Sequence, residues 1–492
     1  MTTQLELDKP IDDGPRDADV VAPIGVAARA LTFAPVCLVV LLMAILLRYS
    51  AMHLNNFDTW FHLTLGDRFR TGEWSLSAPG ALTRFASSDW VATQWSTEVL
   101  ASLFEQWFGL AGVAWLFGTF YAVWVLATYA MSRWFGRPLP SAIVTGMVVV
   151  GSAPAISARP QIISLLLLSV TVYAWLRTVQ DGRVRWWLVP LTWVWATAHG
   201  LWSAGILVGV VCCVGMLLDR QVSVRRFLVM LGVPVASFLV TAVTPVGPRL
   251  LTSQFAVSAR SSLITEWGPT SFRTVPALVV AAMIAWVVVL WARRGSVRWT
   301  PLLLLLLAAG WTLLVARMVA LGAVVTAPLL VQALEARMPA RAVRRSDRRI
   351  ECGTLALGAL GFMLVLGLAV PRQAEIATNV PSQLLPRLEA LPSGSSVVVD
   401  DGVGSWIEWA VPDVAPVIDG MLDAYPVGYI RDFTEFKSLQ PGWQDFLERS
   451  HARVAVLQAD KPLTAALQDQ LHWRVVQQDD DWVYLVAPDP AS

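Results

Sequence analysis

Eleven runs of mostly apolar residues constrain this chain more than any other feature. A hydrocarbon core of about 30 Å takes about 20 helical residues, and only helices or closed barrels satisfy their backbone groups inside it. The runs lie at 31–49, 109–132, 141–158, 160–177, 186–199, 201–218, 226–244, 275–292, 299–316, 318–334 and 352–370. They predict a polytopic α-helical membrane protein of about eleven transmembrane helices. Composition agrees: of 492 residues, 55% are hydrophobic and 15% charged, against roughly 25% charged in soluble domains. No single soluble core hides that much apolar surface, so a soluble enzyme is excluded. A net charge of +1 offers no basic field for nucleic acid.

Arginines set the expected orientation. With the N-terminus inside, the cytoplasmic loops are 133–140, 178–185, 219–226, 293–298 and 335–351. They carry most of the loop arginines, and the last alone holds Arg337, Arg341, Arg344, Arg345, Arg348 and Arg349. This pattern follows the positive-inside rule and puts the C-terminus outside. Residues 1–30 are acidic and contain Pro10 and Pro15, which predicts a disordered cytoplasmic tail. No short basic segment precedes a cleavage site, so the first run is expected to stay. The 24 tryptophans suit long membrane–water boundaries.

The expected organisation has three parts: the tail, a membrane domain over 31–370, and a small extracytoplasmic α/β domain over 371–492. Two outer loops are long, 50–108 and 245–274. The first has amphipathic stretches near 58–71 and 95–108, expected as helices lying on the membrane. In the C-terminal part, Val397–Val399, Val417-Ile418, Val454–Leu457 and Trp482–Val486 read as strands. Helical pieces are expected near 381–391, 441–450 and 462–471. Cys37, Cys212, Cys213 and Cys352 lie in or beside apolar runs with no Cys-x-x-Cys pair, so they read as small hydrophobes.

Polar residues at outer span ends are the candidates for chemistry. Asp58 and His62 stand four apart, on one face of a helix. Asp58 can be a general base or metal ligand, or simply the N-cap of that helix. Arg159, Arg249 and Arg317 fall at predicted outer span ends, as phosphate ligands or as snorkelling anchors. His199 sits between two tightly joined runs, either as a phosphate or metal ligand or as a hydrogen-bonded turn histidine. Glu266 is a candidate second carboxylate, and Trp267 either stacks on a sugar or marks the membrane boundary. Asp58, His62 and His199 together are residue types that could hold a divalent metal ion. No nucleotide-binding glycine loop, zinc-protease helix or hydrolase elbow occurs in a fitting context.

Asp58-Thr-Trp-Phe-His62, Gly66-Asp67, Gly72-Glu73-Trp74, Asp89-Trp90 and Gln94-Trp95 resemble the first periplasmic loop of a bacterial group of polytopic GT-C-type glycosyltransferase-like proteins. Ala158-Arg-Pro-Gln161, Ala198-His-Gly200, Thr244–Leu250, Thr265-Glu-Trp267, Ala316-Arg317 and Val417-Ile-Asp-Gly420 resemble the same group. The chain departs from the group's pattern at Asn55-Asn56, where a paired acid is usual, and at Thr244 and Val246.

The resemblance implies a GT-C-like fold and transfer of a sugar from a polyprenyl-phosphate donor to a glycan, lipid or protein acceptor at the outer face of the plasma membrane. Asp58 stands where such enzymes keep their catalytic carboxylate. Cations near the phosphate would steady the leaving charge. Two other readings remain: a transporter or lipid-handling protein, which needs a polar path to the cytoplasmic side, and an inactive scaffold with Asp58 away from any cavity.

Overall fold

The computed structural model describes residues 26–52, 54–253, 267–293, 297–338, 345–370, 377–479 and 481–488. Each predicted run coincides with a helix. In chain order these are α1 (Val26–Met52), α3 (Trp95–Phe135), α4 (Pro138–Gly151), α5 (Gln161–Asp181), α6 (Leu188–Ala198), α7 (Trp202–Leu218) and α8 (Val224–Val240). After them come α9 (Val275–Ala292), α10 (Trp299–Leu314), α11 (Val319–Glu335) and α12 (Arg345–Ala369). Six of the described helices are long and apolar enough to cross a membrane, and five apolar ones are shorter. α1 already starts at Val26, inside the segment expected as a tail, because Val26-Ala-Ala-Arg-Ala30 joins good helix formers to the apolar run.

Between α1 and α3 lies α2 (Asp58–Arg70). It was expected on the membrane surface. It buries Thr59, Trp60, Phe61, His62, Leu63, Leu65 and Gly66 instead, packed against α3 and the C-terminal unit. Apolar side chains fill more than one stripe of this helix, so it needs cover on two sides. α3 consists of two helical segments, the second amphipathic stretch and the span, joined at a kink at Gly109, whose non-helical backbone with φ of 64° only glycine adopts freely. Trp107 and Phe108 stand exposed beside the bend.

Helices in lipid gain little from hiding apolar surface from one another, so close backbone approach matters. α11 is buried along nearly its whole length at the centre of the bundle. A Cβ on Gly322 would lie 2.1 Å from Thr312 Oγ1 on α10, so only glycine permits that crossing. The start of α10 is held by Asp219 at the end of α7, which accepts hydrogen bonds from the backbone N–H groups of Trp299 and Thr300 at 2.6 and 3.1 Å. Nearby ends carry the ion pairs Arg133–Glu351 and Arg137–Glu335, both 2.9 Å. α3, α5, α7 and α11 each have one terminus at this arginine-rich end and the other at the cavity described below.

The C-terminal unit is a five-stranded sheet in the order β2-β1-β3-β5-β4. β1 (Ser396–Val399) pairs in parallel with β2 (Ala415–Pro416) and β3 (Val454–Gln458). β5 (Trp482–Val486) runs antiparallel to β3 and to β4 (Arg474–Gln478). Helices α13 (Leu385–Glu389), α14 (Asp401–Ala410), α15 (Val427–Lys437), α16 (Gln444–Ser450) and α17 (Pro462–Asp469) accompany it. The unit seats on the 50–108 segment. α14 packs on α2, with the Trp60 and Trp409 rings 4.9 Å apart. Trp409 Nε1 donates to Glu105 at 3.1 Å, and Leu54 pairs with Ala377. Asp419, the residue after Ile418, is fully buried, with Tyr425 Oη donating to it at 2.7 Å and the Met421 backbone N–H at 2.6 Å.

Candidate active site

The site is built on the first turn of α2. Asn56 Oδ1 accepts the backbone N–H of Asp58 at 2.9 Å, so the asparagine supplies a local cap and leaves the Asp58 carboxylate for other partners. Asp58 Oδ2 accepts Arg159 Nη1 at 2.8 Å. The arginine is buried, and its Nε donates to Ser157 Oγ at 2.9 Å, which fixes the guanidinium plane. Thr59 Oγ1 donates to the Ala158 carbonyl at 2.9 Å and clamps α2 to the same turn.

One helical turn on, His62 lies on the same face. Its Nδ1 is 2.9 Å from Glu98 Oε1 at the start of α3, and both groups are buried. Glu98 was not singled out from the sequence, where it is one acid among several in the 50–108 segment. Burial, then Arg159, His199 and Arg317, push the His62 imidazole well below its ordinary pKa.

His199 occupies the short link between α6 and α7. The backbone N–H of Leu201 donates to its Nδ1 at 3.2 Å. Trp195 Nε1 donates to Ser164 Oγ at 2.7 Å, which frees the serine hydroxyl hydrogen for the same Nδ1 at 2.8 Å. A nitrogen that accepts a backbone N–H holds no proton, so His199 carries its hydrogen on Nε2. Burial, reinforced by Arg317 and Arg159, keeps this imidazole neutral at ordinary pH.

These side chains line one cavity of about 1010 Å³. Asp58, His62, Glu98, Arg159, His199, Trp267 and Arg317 all face it. The Arg317 guanidinium sits over the Trp267 ring, 5.5 Å from its centroid. One wall comes from the C-terminal unit through Asp401, Gly402, Gly420 and Asp423. Gly420 approaches so closely that a Cβ there would stand 3.3 Å from Asp58 Oδ1. Away from the charges the lining turns apolar, with Ile206, Leu207 and Val210 of α7 and Phe238 of α8. Leu207 and Phe238 are 41% and 42% exposed.

Arg249 does not join this group. A turn at Gly247, with φ of 78°, directs it to the surface, where it pairs with the exposed Asp89. The sequence places it at a span end, but the span end and the cavity mouth are different places. Glu266 lies outside the described residues. Among the described residues no three His, Cys, Asp or Glu groups are placed to hold a metal ion. Asp58, His62 and His199 instead engage Arg159, Glu98 and Ser164 separately. The four cysteines are free, with Cys212 and Cys213 buried and Cys37 and Cys352 exposed.

No family model and no curated protein matches the chain. Solved structures do. The apo crystal structure of the oligosaccharyltransferase from Archaeoglobus fulgidus superposes with a TM-score of 0.56 at 11% identity, over 87% of this chain and 70% of that one. ArnT from Cupriavidus metallidurans bound to undecaprenyl phosphate gives a TM-score of 0.49 at 15% identity, over 92% and 98%. ArnT in the apo state gives 0.46 at 16%, over 93% and 98%. At such identities the likeness is one of fold, and that fold is GT-C-like.

Proposed function

We propose that this protein is an integral-membrane glycosyltransferase that moves a sugar from a polyprenyl-phosphate donor to a glycan, lipid or protein acceptor of the cell envelope. The observation that carries the reading is the single cavity that joins Asp58, paired to Arg159, with Arg317 and His199. Its charged part suits a phosphate, and its apolar part between α7 and α8 suits an isoprenoid chain. The GT-C-like fold supports the same reading.

The chemistry follows from charge. As the acceptor hydroxyl attacks the anomeric carbon, its oxygen loses a proton and the bond from that carbon to the phosphate oxygen breaks. The electron pair leaves on the phosphate. Asp58 takes the proton as general base. Arg159 and Arg317 offer planar donors to the phosphate oxygens, and His199 Nε2–H adds a neutral donor. Trp267 positions Arg317 from behind.

The same reading fixes orientation. The arginine-rich helix ends would face the cytoplasm, and the cavity and C-terminal unit would lie outside a plasma membrane. A transporter would need polar residues beyond the cavity, and the lining between α7 and α8 is apolar instead.

Asp58→Asn tests the proposal in membranes supplied with radiolabelled decaprenyl-phosphoryl sugars. Transfer to the lipid-extracted fraction should fall at least about 100-fold, with the amount of protein in the membrane unchanged. Wild-type transfer by that variant would remove Asp58 from the chemistry.

A further inference from the structure

Glu98 Oε2, Gln161 Oε1 and Trp202 Nε1 are buried atoms on the cavity wall with no hydrogen-bond partner among the described residues. Their residues are 1%, 2% and 1% exposed, and they come from the starts of three different helices, α3, α5 and α7. We propose that these three groups form the subsite that grips the hydroxyl groups of the transferred sugar, an inference that rests on the glycosyltransferase reading above.

Orphaned buried polar atoms are uncommon because each costs the free energy of its lost hydration. What sets these three apart is their common place on one cavity wall, where a ligand would complete them. Their chemistry selects which ligand. Two are oxygens, one of a carboxyl and one of an amide, and the third is an indole N–H that can only donate. A phosphate would set its own oxygens against the Gln161 amide oxygen, with no hydrogen between them. A sugar hydroxyl donates to an oxygen and accepts from an N–H at once, so adjacent hydroxyls satisfy the whole set. Water fills these roles in an empty cavity, and a sugar displaces it while reproducing its bonds.

The placement fits a donor lying across the cavity. Gln161 stands two residues after Arg159, and Trp202 three residues after His199. Glu98 reaches the cavity beside His62, which takes its other oxygen. Thr97 Oγ1 donates to the Ala198 carbonyl at 2.8 Å, fastening the start of α3 to the link before α7. Each sugar-facing group is thus held by the same short turns that carry the phosphate-facing donors. A sugar bonded to a phosphate would meet both sets without spanning any gap in the wall. Glu98 would also steady His62 through their 2.9 Å contact.

The test compares lipids with and without a sugar. Purified wild type, Trp202→Phe and Gln161→Leu are titrated with decaprenyl phosphate and with decaprenyl-phosphoryl glucose, mannose, galactose and arabinose. For the best-bound glycolipid each substitution should weaken affinity about tenfold, the loss of one buried hydrogen bond. Affinity for bare decaprenyl phosphate should stay within about twofold. Equal losses for both lipids, or none for either, overturn the subsite. Failure of wild type to bind any of the lipids overturns the lipid-donor reading instead. The subsite is then decided with free hexoses and fluorotryptophan-labelled protein, in which the Trp202 resonance is identified by its loss in Trp202→Phe. A hexose-dependent shift of that resonance keeps the subsite, and a resonance that hexoses leave in place removes it.

Discussion

Arg159 Nη1 donates to Asp58 Oδ2 across 2.8 Å and so joins the first turn of α2 to the turn before α5. The pair is asymmetric. The arginine side chain is 7% exposed and the aspartate 32%, so the cation is set deep and the carboxylate stands toward the open side of the cavity. A buried cation with a planar fork suits carboxylate and phosphate oxygens alike. On the proposed reading the base and the phosphate ligand would be one mechanical unit, so disturbing either should be felt at both.

Arg159→Gln should weaken decaprenyl phosphate binding by about 10- to 100-fold, the scale of a charge-assisted hydrogen bond. Arg159→Lys should restore little, because a lysine ammonium lacks the planar fork. Titration of the purified protein reads both variants. Full recovery with lysine would show that charge alone matters at this position.

His199 and His62 should resist protonation through the range where a free imidazole titrates, near pH ~6.5. Their native pKa values are lowered, first by burial and then by the neighbouring cations. The unfolded chain therefore binds more protons as pH falls, and the stability from the two neutral rings is complete above about pH 6.5 and lost progressively below it. The chain has 5 histidines, so nitrogen-15 spectra of histidine-labelled protein are simple enough to assign. His199 should show a bare Nδ1 and a protonated Nε2 at pH ~6. A cationic His199 at that pH contradicts the geometry.

Glu408 and Asp419 form a buried acidic pair in the C-terminal unit. Burial and the neighbouring Asp419 push the Glu408 carboxyl well above the ordinary range, while Tyr425 and Met421 hold Asp419 in place. A raised acid pKa means that the folded state binds the extra proton. Stability is then greatest below the unfolded value of about 4.3 and falls as pH rises through the folded one. Glu408→Gln should flatten that loss and raise Tm at neutral and alkaline pH. Thermal unfolding of the full chain at several pH values measures it, and an unchanged pH slope would show that the pair does not titrate as described.

Gly420→Val would press a side chain against Asp58 Oδ1, Ser405 Oγ and the Phe61 ring, since even a Cβ would stand 3.3, 3.0 and 3.4 Å from them. Sugar transfer should fall at least about tenfold while decaprenyl phosphate still binds, because misplaced reacting groups lose far more in rate than in affinity. Equal loss of binding and transfer would place the turn in general folding instead.

Much of the cavity was legible in the sequence because its residues sit at breaks between apolar runs. Asp58 and His62 share a helical face, and Arg159-Pro160 and His199-Gly200 mark links too short to be anything but turns. Arg249 shares that signature yet faces outward, because position along a span does not fix direction around it. Glu98, Gln161 and Trp202 were missed for a different reason. An acid in a polar loop, a glutamine opening a helix and a tryptophan at a membrane boundary are each ordinary, and only their common burial sets them apart. In the C-terminal unit, β4 has the polar pattern Arg474-Val-Val-Gln-Gln478 of a sheet edge and gave no strand signal. α14 and α15 were overlooked because glycines and aromatic residues interrupt their periodicity.

The wall that Asp401, Gly402, Gly420 and Asp423 contribute is also a matter of order in time. The ribosome makes these residues long after α2 and the turn carrying Arg159 have emerged. A nascent chain halted before Asp401 would hold its arginines and its carboxylate around a cleft lacking one side. On the proposed reading, catalytic competence would then arrive only once the closing segment had itself been made and docked, which ties the onset of activity to the synthesis of the C-terminal unit.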